Sequence, residues 1–117
     1  MSRDYKLFIK DIIESIKQIG IFVSGMSFDE FILDDRTANA VIRKLEIIGE
    51  ASKNIPDHIR IKYSELPWSE MARMRDKLIH AYFGVDYEII WRVIKERLPS
   101  IRQQLEKALH ELEKLSK

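Results

Sequence analysis

The chain of 117 residues is long enough for one domain with its own hydrophobic core. It contains no cysteine, which excludes disulfides, thiolate zinc sites and cysteine nucleophiles, and its formal net charge of +1 excludes a broadly cationic nucleic-acid binder. No segment is apolar enough to cross a membrane and no signal-peptide pattern is present, so we expect a single cytoplasmic domain over residues 1–117.

The apolar residues of the first half recur at helical steps of three and four. They predict a long first helix over residues 5–23. The capping-box pattern Ser27-Phe28-Asp29-Glu30 predicts a short helix over Asp29–Leu33. The acidic pair Asp34-Asp35 suits the positive N-terminus of a further helix that should run to about Lys53.

Prolines and a glycine divide the next part of the chain. Pro56 ends the preceding helix and leaves room for a short helix over Asp57–Tyr63. Pro67 lies in the first turn of another helix, which should carry residues 75–82 and stop near Gly84.

The C-terminal part predicts two more helices. Asp86 is a good N-cap for the first of them, which Pro99 should break. The last helix then starts at Pro99 and has a regular apolar stripe, made of Ile101, Leu105, Ala108, Leu112 and Leu115. No strand pattern is present, and short loops favour antiparallel neighbours. We therefore predict an all-α fold, an antiparallel up-and-down bundle of four or five main helices with short helices between them.

Gly49, the two tryptophans and the three histidines can each be interpreted individually. Gly49 costs about 1 kcal/mol relative to alanine in a helix interior, so it either permits a close helix crossing or keeps Glu50 near residues 75–82. Trp68 and Trp91 are expected to anchor the core. The three histidines are far apart and show no ligand spacing, so we expect no metal site and no cofactor.

The charge is uneven along the chain. Residues 1–58 hold 8 Lys and Arg against 10 Asp and Glu, whereas residues 59–117 hold 12 against 9. The positive excess lies around residues 73–97. It is either a solvated helix face or a phosphate-facing patch, and in the second case Arg73 and Lys77 are candidate phosphate or RNA contacts.

The segment Arg75-Asp76-Lys77-Leu78-Ile79-His80-Ala81-Tyr82 carries the candidate chemistry. Arginine suits phosphate, and histidine exchanges protons near neutral pH. On a helix, Asp76 neighbours His80 at i, i+4 and can fix its tautomer. In RNA cleavage, the histidine would take the proton of a 2′-OH while the arginine stabilises the anionic phosphorus centre, and no metal is required.

The positions of the two residues on a helix limit how they can meet. His80 lies about 140° around the axis from Arg75 on a straight helix. Guanidinium and imidazole therefore meet only if the helix loosens before Gly84 or if two copies of the chain share a cleft, and symmetry favours the homodimer. The structural alternative stays open: Arg75 can pair with Asp76 or Glu50, His80 can cap a carbonyl, and Tyr82 can belong to the core.

The sequence resembles the HepT-like group of HEPN-domain proteins, small helical toxins of prokaryotic toxin–antitoxin pairs. The matching segments are Phe31 with Asp34-Asp35-Arg36, Leu45-Glu46-Ile47-Ile48-Gly49-Glu50-Ala51, Pro67-Trp68, Met74-Arg75-Asp76-Lys77-Leu78-Ile79-His80-Ala81-Tyr82-Phe83, Val85-Asp86 and Trp91. The Arg-x4-His-x-Tyr signature is the most specific of them.

The resemblance implies a metal-independent endoribonuclease that acts as a homodimer. Arg75 and His80 would be catalytic and Asp76 would assist. The implied partner is a nucleotidyltransferase antitoxin that neutralises the toxin by transferring AMP from ATP onto Tyr82. The rival interpretation is a non-enzymatic nucleotide-binding or regulatory subunit of such a nucleotidyltransferase, which the small net charge favours.

Overall fold

The computed structural model describes residues 4–74, 76, 79–80 and 84–115; of Ile79, His80 and Val85 it describes the backbone alone. The elements in chain order are α1 (Tyr5–Phe22), α2 (Phe28–Ile32), α3 (Asp35–Lys53), α4 (Asp57–Lys62), α5 (Trp68–Ala72), β1 (Ile79–His80), β2 (Gly84–Val85), α6 (Tyr87–Arg92), a π-helical segment (Val93–Arg97) and α7 (Leu98–Leu115).

Side-chain caps start several of these helices where the sequence predicts them. The Ser27 hydroxyl accepts from the Glu30 N–H at 3.1 Å and the Glu30 carboxylate accepts from the Ser27 N–H at 2.9 Å, which confirms the capping box. Asp34 accepts from the Thr37 N–H at 3.0 Å, and Asp86 accepts from the Ile89 N–H at 3.1 Å. Each cap satisfies an N–H group that has no partner inside the helix.

The core lies between the long helices. α1 packs against α3 and α7, and α5 packs against α3. The all-α bundle is confirmed, and the two-residue strands β1 and β2 form one small antiparallel ladder in the register Ile79↔Val85 and His80↔Gly84. Within the described residues, no helix is both long and apolar enough to cross a bilayer.

The prediction of a long helix from Pro67 to Gly84 is wrong. α5 ends at Ala72, and beyond it the Met74 N–H donates to Met71 O at 3.2 Å and the Asp76 N–H to Arg73 O at 3.0 Å, which are bonds over three residues. Farther on, β1 pairs with β2. Apolar spacing alone does not distinguish a helix from turns and short strands, and here the backbone takes the second form.

The predicted break at Pro99 is also wrong. The chain stays helical from α6 through α7, because a wider π turn over Val93–Arg97 precedes the proline. The Leu98 N–H donates to Val93 O across this turn. Proline has no N–H and its ring meets the carbonyl four residues back in a regular helix, and a π turn relieves that conflict locally.

The predicted core is confirmed with two exceptions. The first four residues of the α7 stripe are buried, but Leu115, the last residue of α7, is 64% exposed. Trp68 is buried, whereas Trp91 is half-buried and lies against the ring of Phe31 at 5.2 Å between centroids, with the Lys95 ammonium 4.8 Å from its own ring.

Candidate functional site

Most of the predicted signature lies at the limit of what the structure describes. Arg75, Lys77 and Tyr82 lie outside the described residues. His80 is described by its backbone, which ends β1 opposite Gly84. Arg73 and Asp76 are described fully, and both are exposed.

Two buried methionines hold the chain on either side of Arg73. Met71 is fully buried in α5, and Met74 is 4% exposed just after it. At the start of α5, the indole N–H of Trp68 donates to Tyr63 O at 3.0 Å. The segment that leads into the signature is therefore fixed to the core at both ends of α5.

Gly49 sets the distance between α3 and α5. A Cβ atom at this position would lie 3.2 Å from the carbonyl oxygen of Ala72 and 3.6 Å from that of Met71. The first of these contacts is closer than side-chain carbons normally make, so a side chain here would push the two backbones apart by a few tenths of an ångström. The predicted close helix crossing is confirmed, and it lies at the end of α5, where the signature begins.

A cleft of about 320 Å³ opens beside this crossing. Its lining residues are Arg43, Glu46, Gly49, Glu50 and Lys53 of α3 with Ala72 and Asp76. The structure therefore brings Glu50 to the same cleft as Asp76 of the signature, as the alternative interpretation of Gly49 expected. Arg43 and Glu46 interact within the cleft wall at 3.4 Å between Nη1 and Oε2.

The prediction that Asp76 and His80 are neighbours assumed that both lie on one helix, four positions apart, and this assumption is wrong. The described backbone is a turn at Asp76 and a strand at His80. The helical angle between Arg75 and His80 fails for the same reason, because His80 is in β1.

Arg73 faces a second, more open groove. Its guanidinium makes one long hydrogen bond, from Nε to Ser69 O at 3.4 Å. The groove has a volume of about 580 Å³ and is lined in part by Arg60, Ser69 and Glu70. This position is compatible with the predicted phosphate contact of Arg73, which stays a prediction.

Sequence reasoning missed an ion pair beside this groove. Arg97 Nε and Nη2 donate to the two carboxylate oxygens of Glu70 at 3.1 and 2.7 Å. This two-point bond raises the pKa of the Arg97 guanidinium above its usual value. The partners are 27 residues apart, so no local pattern could have revealed them. The pair ties the first turn of α5 to the π-helical segment.

The described part of the chain contains no cluster of metal-binding side chains. No group of three or more His, Asp or Glu residues converges there in a way that could hold a metal ion. The charges that do meet near Asp76 are mixed in sign.

The comparisons with known proteins agree on one family. The family model for "Ribonuclease HepT-like" matches residues 12–108. The chain is 52% identical over 107 residues to "Probable ribonuclease HepT" of Thermococcus cleftensis, which covers 92% of this chain and 97% of the relative. It is 47% identical over 111 residues to "Putative RNase MJ0127" of Methanocaldococcus jannaschii, with 95% and 92% covered.

A third relative has a similar name. The chain is 44% identical over 102 residues to "Putative RNase TTE0752" of Caldanaerobacter subterraneus subsp. tengcongensis, with 87% of this chain and 91% of the relative covered. No solved structure matches significantly. The family match and the relatives together cover nearly the whole chain, which belongs to the HepT-like ribonuclease family of HEPN-domain proteins.

Proposed function

We propose that this protein is a cytoplasmic, metal-independent endoribonuclease and the toxin of a toxin–antitoxin pair. The observation that carries the proposal is the intact Arg-x4-His-x-Tyr signature in a chain of the HepT-like ribonuclease family. It is supported in the fold by the anchored end of α5 and by Asp76 of the signature, which lines a charged cleft.

The chemistry follows from the two signature residues. The neutral imidazole of His80 takes the proton of a ribose 2′-OH, and that oxygen attacks the adjacent phosphorus. The Arg75 guanidinium stabilises the extra negative charge as the bond to the 5′-oxygen breaks. The 5′-oxygen leaves with a proton, and His80 of the partner subunit is our candidate acid. The products are a 2′,3′-cyclic phosphate and a free 5′-OH.

The test uses purified protein and a mixed RNA substrate in the presence of a chelator. We expect cleavage with cyclic-phosphate ends, and its loss in His80→Ala and Arg75→Ala. Undiminished cutting by His80→Ala would refute the assignment. A wild-type protein that cuts no RNA but forms a stable complex with a nucleotidyltransferase would instead support the non-enzymatic subunit, which the net charge of +1 favours.

The homodimer makes a separate prediction. If each cleft takes its arginine from one chain and its histidine base from the other, a mixed dimer of Arg75→Ala and His80→Ala chains has one cleft that keeps both the arginine and the base and lacks only the candidate acid. Co-refolding the two inactive variants should then restore part of the cleavage. If both residues come from the same chain, the mixed dimer stays inactive.

Control by the antitoxin would act on Tyr82. A nucleotidyltransferase would transfer AMP from ATP to the tyrosine oxygen with release of pyrophosphate. The added phosphate is anionic and would compete with RNA for Arg75. Mass spectrometry of protein co-expressed with the enzyme should find one adenylate, absent in Tyr82→Phe, and the modified protein should no longer cut RNA.

A further inference from the structure

One wall of the cleft beside Asp76 is a single stripe of α3. Arg43, Glu46, Glu50 and Lys53 are spaced by three, four and three residues, so they fall within about 80° of the helix circumference. The cations lie at the two ends of the stripe and the carboxylates in the middle. The Arg43 side chain is 70% exposed and its ion pair with Glu46 is long, at 3.4 Å.

Glu50 and Lys53 are the two members of this stripe that form no ion pair within the described residues. The Glu50 carboxylate makes no hydrogen bond or ion pair with any residue in the part of the chain that the structure describes. Lys53 is only three positions away, yet the two do not pair. Glu46 lies four positions before Glu50, a like-charge spacing that weakly destabilises a helix. Helix stability alone therefore gives no reason for a carboxylate at this position.

We propose that Glu50 is a specificity-determining residue, which accepts a hydrogen bond from the exocyclic amine of a base next to the cleaved phosphodiester. The inference rests on the proposed ribonuclease function and names the feature of the RNA that the site selects. Its basis is the position of Glu50 in the same cleft as Asp76, which is covalently next to Arg75.

The sign of the charge decides what Glu50 can contact. RNA is a polyanion, so a carboxylate placed against its backbone is repelled. The groups of RNA that attract a carboxylate are N–H donors on the base edges, and cytosine, adenine and guanine each carry an exocyclic amine. Uracil carries no exocyclic amine, and its one edge donor, the ring N3–H, lies between two carbonyl oxygens that repel a carboxylate. Glu50 should therefore select against uracil at one position.

Arg43 and Lys53 can bind the phosphates of the RNA backbone on either side of the Glu50 carboxylate. Arg43 and Lys53 are separated by about 15 Å along α3, at 1.5 Å for each of ten residues. An extended strand covers that distance with more than one nucleotide. Phosphates can therefore lie near both cations while the base between them points at Glu50.

The experiment measures base preference in two independent ways. Four single-stranded RNA oligonucleotides differ only in one base beside the cut, which is first mapped with wild-type protein. Cleavage rates are compared for wild type, Glu50→Gln and Glu50→Ala. Binding of the same uncut oligonucleotides to His80→Ala, with and without Glu50→Gln, is followed by fluorescence anisotropy. The matched control is Glu14→Gln, on the exposed face of α1.

Wild-type protein should disfavour uracil by at least about fivefold, the lower end of what one base contact supplies. Glu50→Gln and Glu50→Ala should reduce this discrimination to less than about threefold, while Glu14→Gln keeps it. The inference is overturned if the Glu50 variants discriminate as wild type does or if wild type has no preference against uracil. If no RNA is cut, the proposed function fails, and binding of homopolymer oligonucleotides of each base to the protein with and without Glu50→Gln then decides whether Glu50 selects against uracil.

Discussion

Replacing Gly49 with alanine adds one methyl group where α3 and α5 cross. The new Cβ would lie 3.2 Å from the carbonyl oxygen of Ala72, a rigid backbone atom. α5 must then move by a few tenths of an ångström, because α3 is held along its length by α1. Alanine also favours the helix by about 1 kcal/mol, so the net effect is a difference between two opposing changes.

Gly20 provides the matched control for this substitution. It lies in α1 with open space around its Cβ position, so Gly20→Ala should gain the helix propensity alone, about 1 kcal/mol. Overpacking against a backbone costs about 1–3 kcal/mol, so Gly49→Ala should lose about 1 kcal/mol overall. The two variants should differ by about 2 kcal/mol, or about 8 °C in Tm for a domain of this size.

The assay is urea denaturation followed by circular dichroism, alongside RNA cleavage. Gly49→Ala should also lower the cleavage rate by about tenfold, because the shift of α5 displaces the residues that follow it. Gly20→Ala should leave the rate unchanged. The reasoning fails if Gly49→Ala is stabilised as much as Gly20→Ala, since the crossing would then have room for a side chain.

Three further substitutions test other contacts. Burial and the Glu111 carboxylate raise the pKa of Tyr63 to about 12. The contribution of Tyr63 to stability is therefore present below about pH 10 and lost between about pH 10 and 12. Ultraviolet titration should show one tyrosine that ionises at higher pH than the others, and Tyr63→Phe should remove that step. Hydrogen bonds from Thr37 lower the pKa of Asp34. The stability that Asp34 contributes is therefore lost as the pH falls below the pKa that Asp34 has in the unfolded chain. In Asp34→Asn, the free energy of unfolding should fall less steeply at acid pH. Leu45 is fully buried, and Leu45→Ala should cost about 2–5 kcal/mol in urea denaturation.

The sequence predicted the elements whose signals are local. The capping box of α2 and the Asp34 and Asp86 caps lie where the sequence places them, because a cap needs only residues within one turn. The buried stripe of α7 followed from spacing for the same reason, up to the exposed Leu115. These features do not depend on how the helices pack together.

The errors have two different origins. The apolar spacing through the signature is compatible with a helix, but Ile79 and His80 pair with the neighbouring strand β2 instead, so two local structures compete there. The bond between Glu70 and Arg97, in contrast, joins residues 27 positions apart and leaves no local pattern. Gly49 is an intermediate case: its presence in a helix predicted a crossing, but only the structure identifies the end of α5 as the partner.

The end of α5 has a consequence for how the site is assembled. On a continuous helix, the angle between Arg75 and His80 was the physical reason to require a second chain. Because α5 ends at Ala72 and His80 is in β1, that reason no longer holds, and one chain is free of the helical constraint that separated the two residues. The shared cleft then rests on the family resemblance alone. The mixed dimer of inactive variants therefore carries more weight than a measurement of oligomeric state, because a dimer can form whether or not its two chains share a cleft.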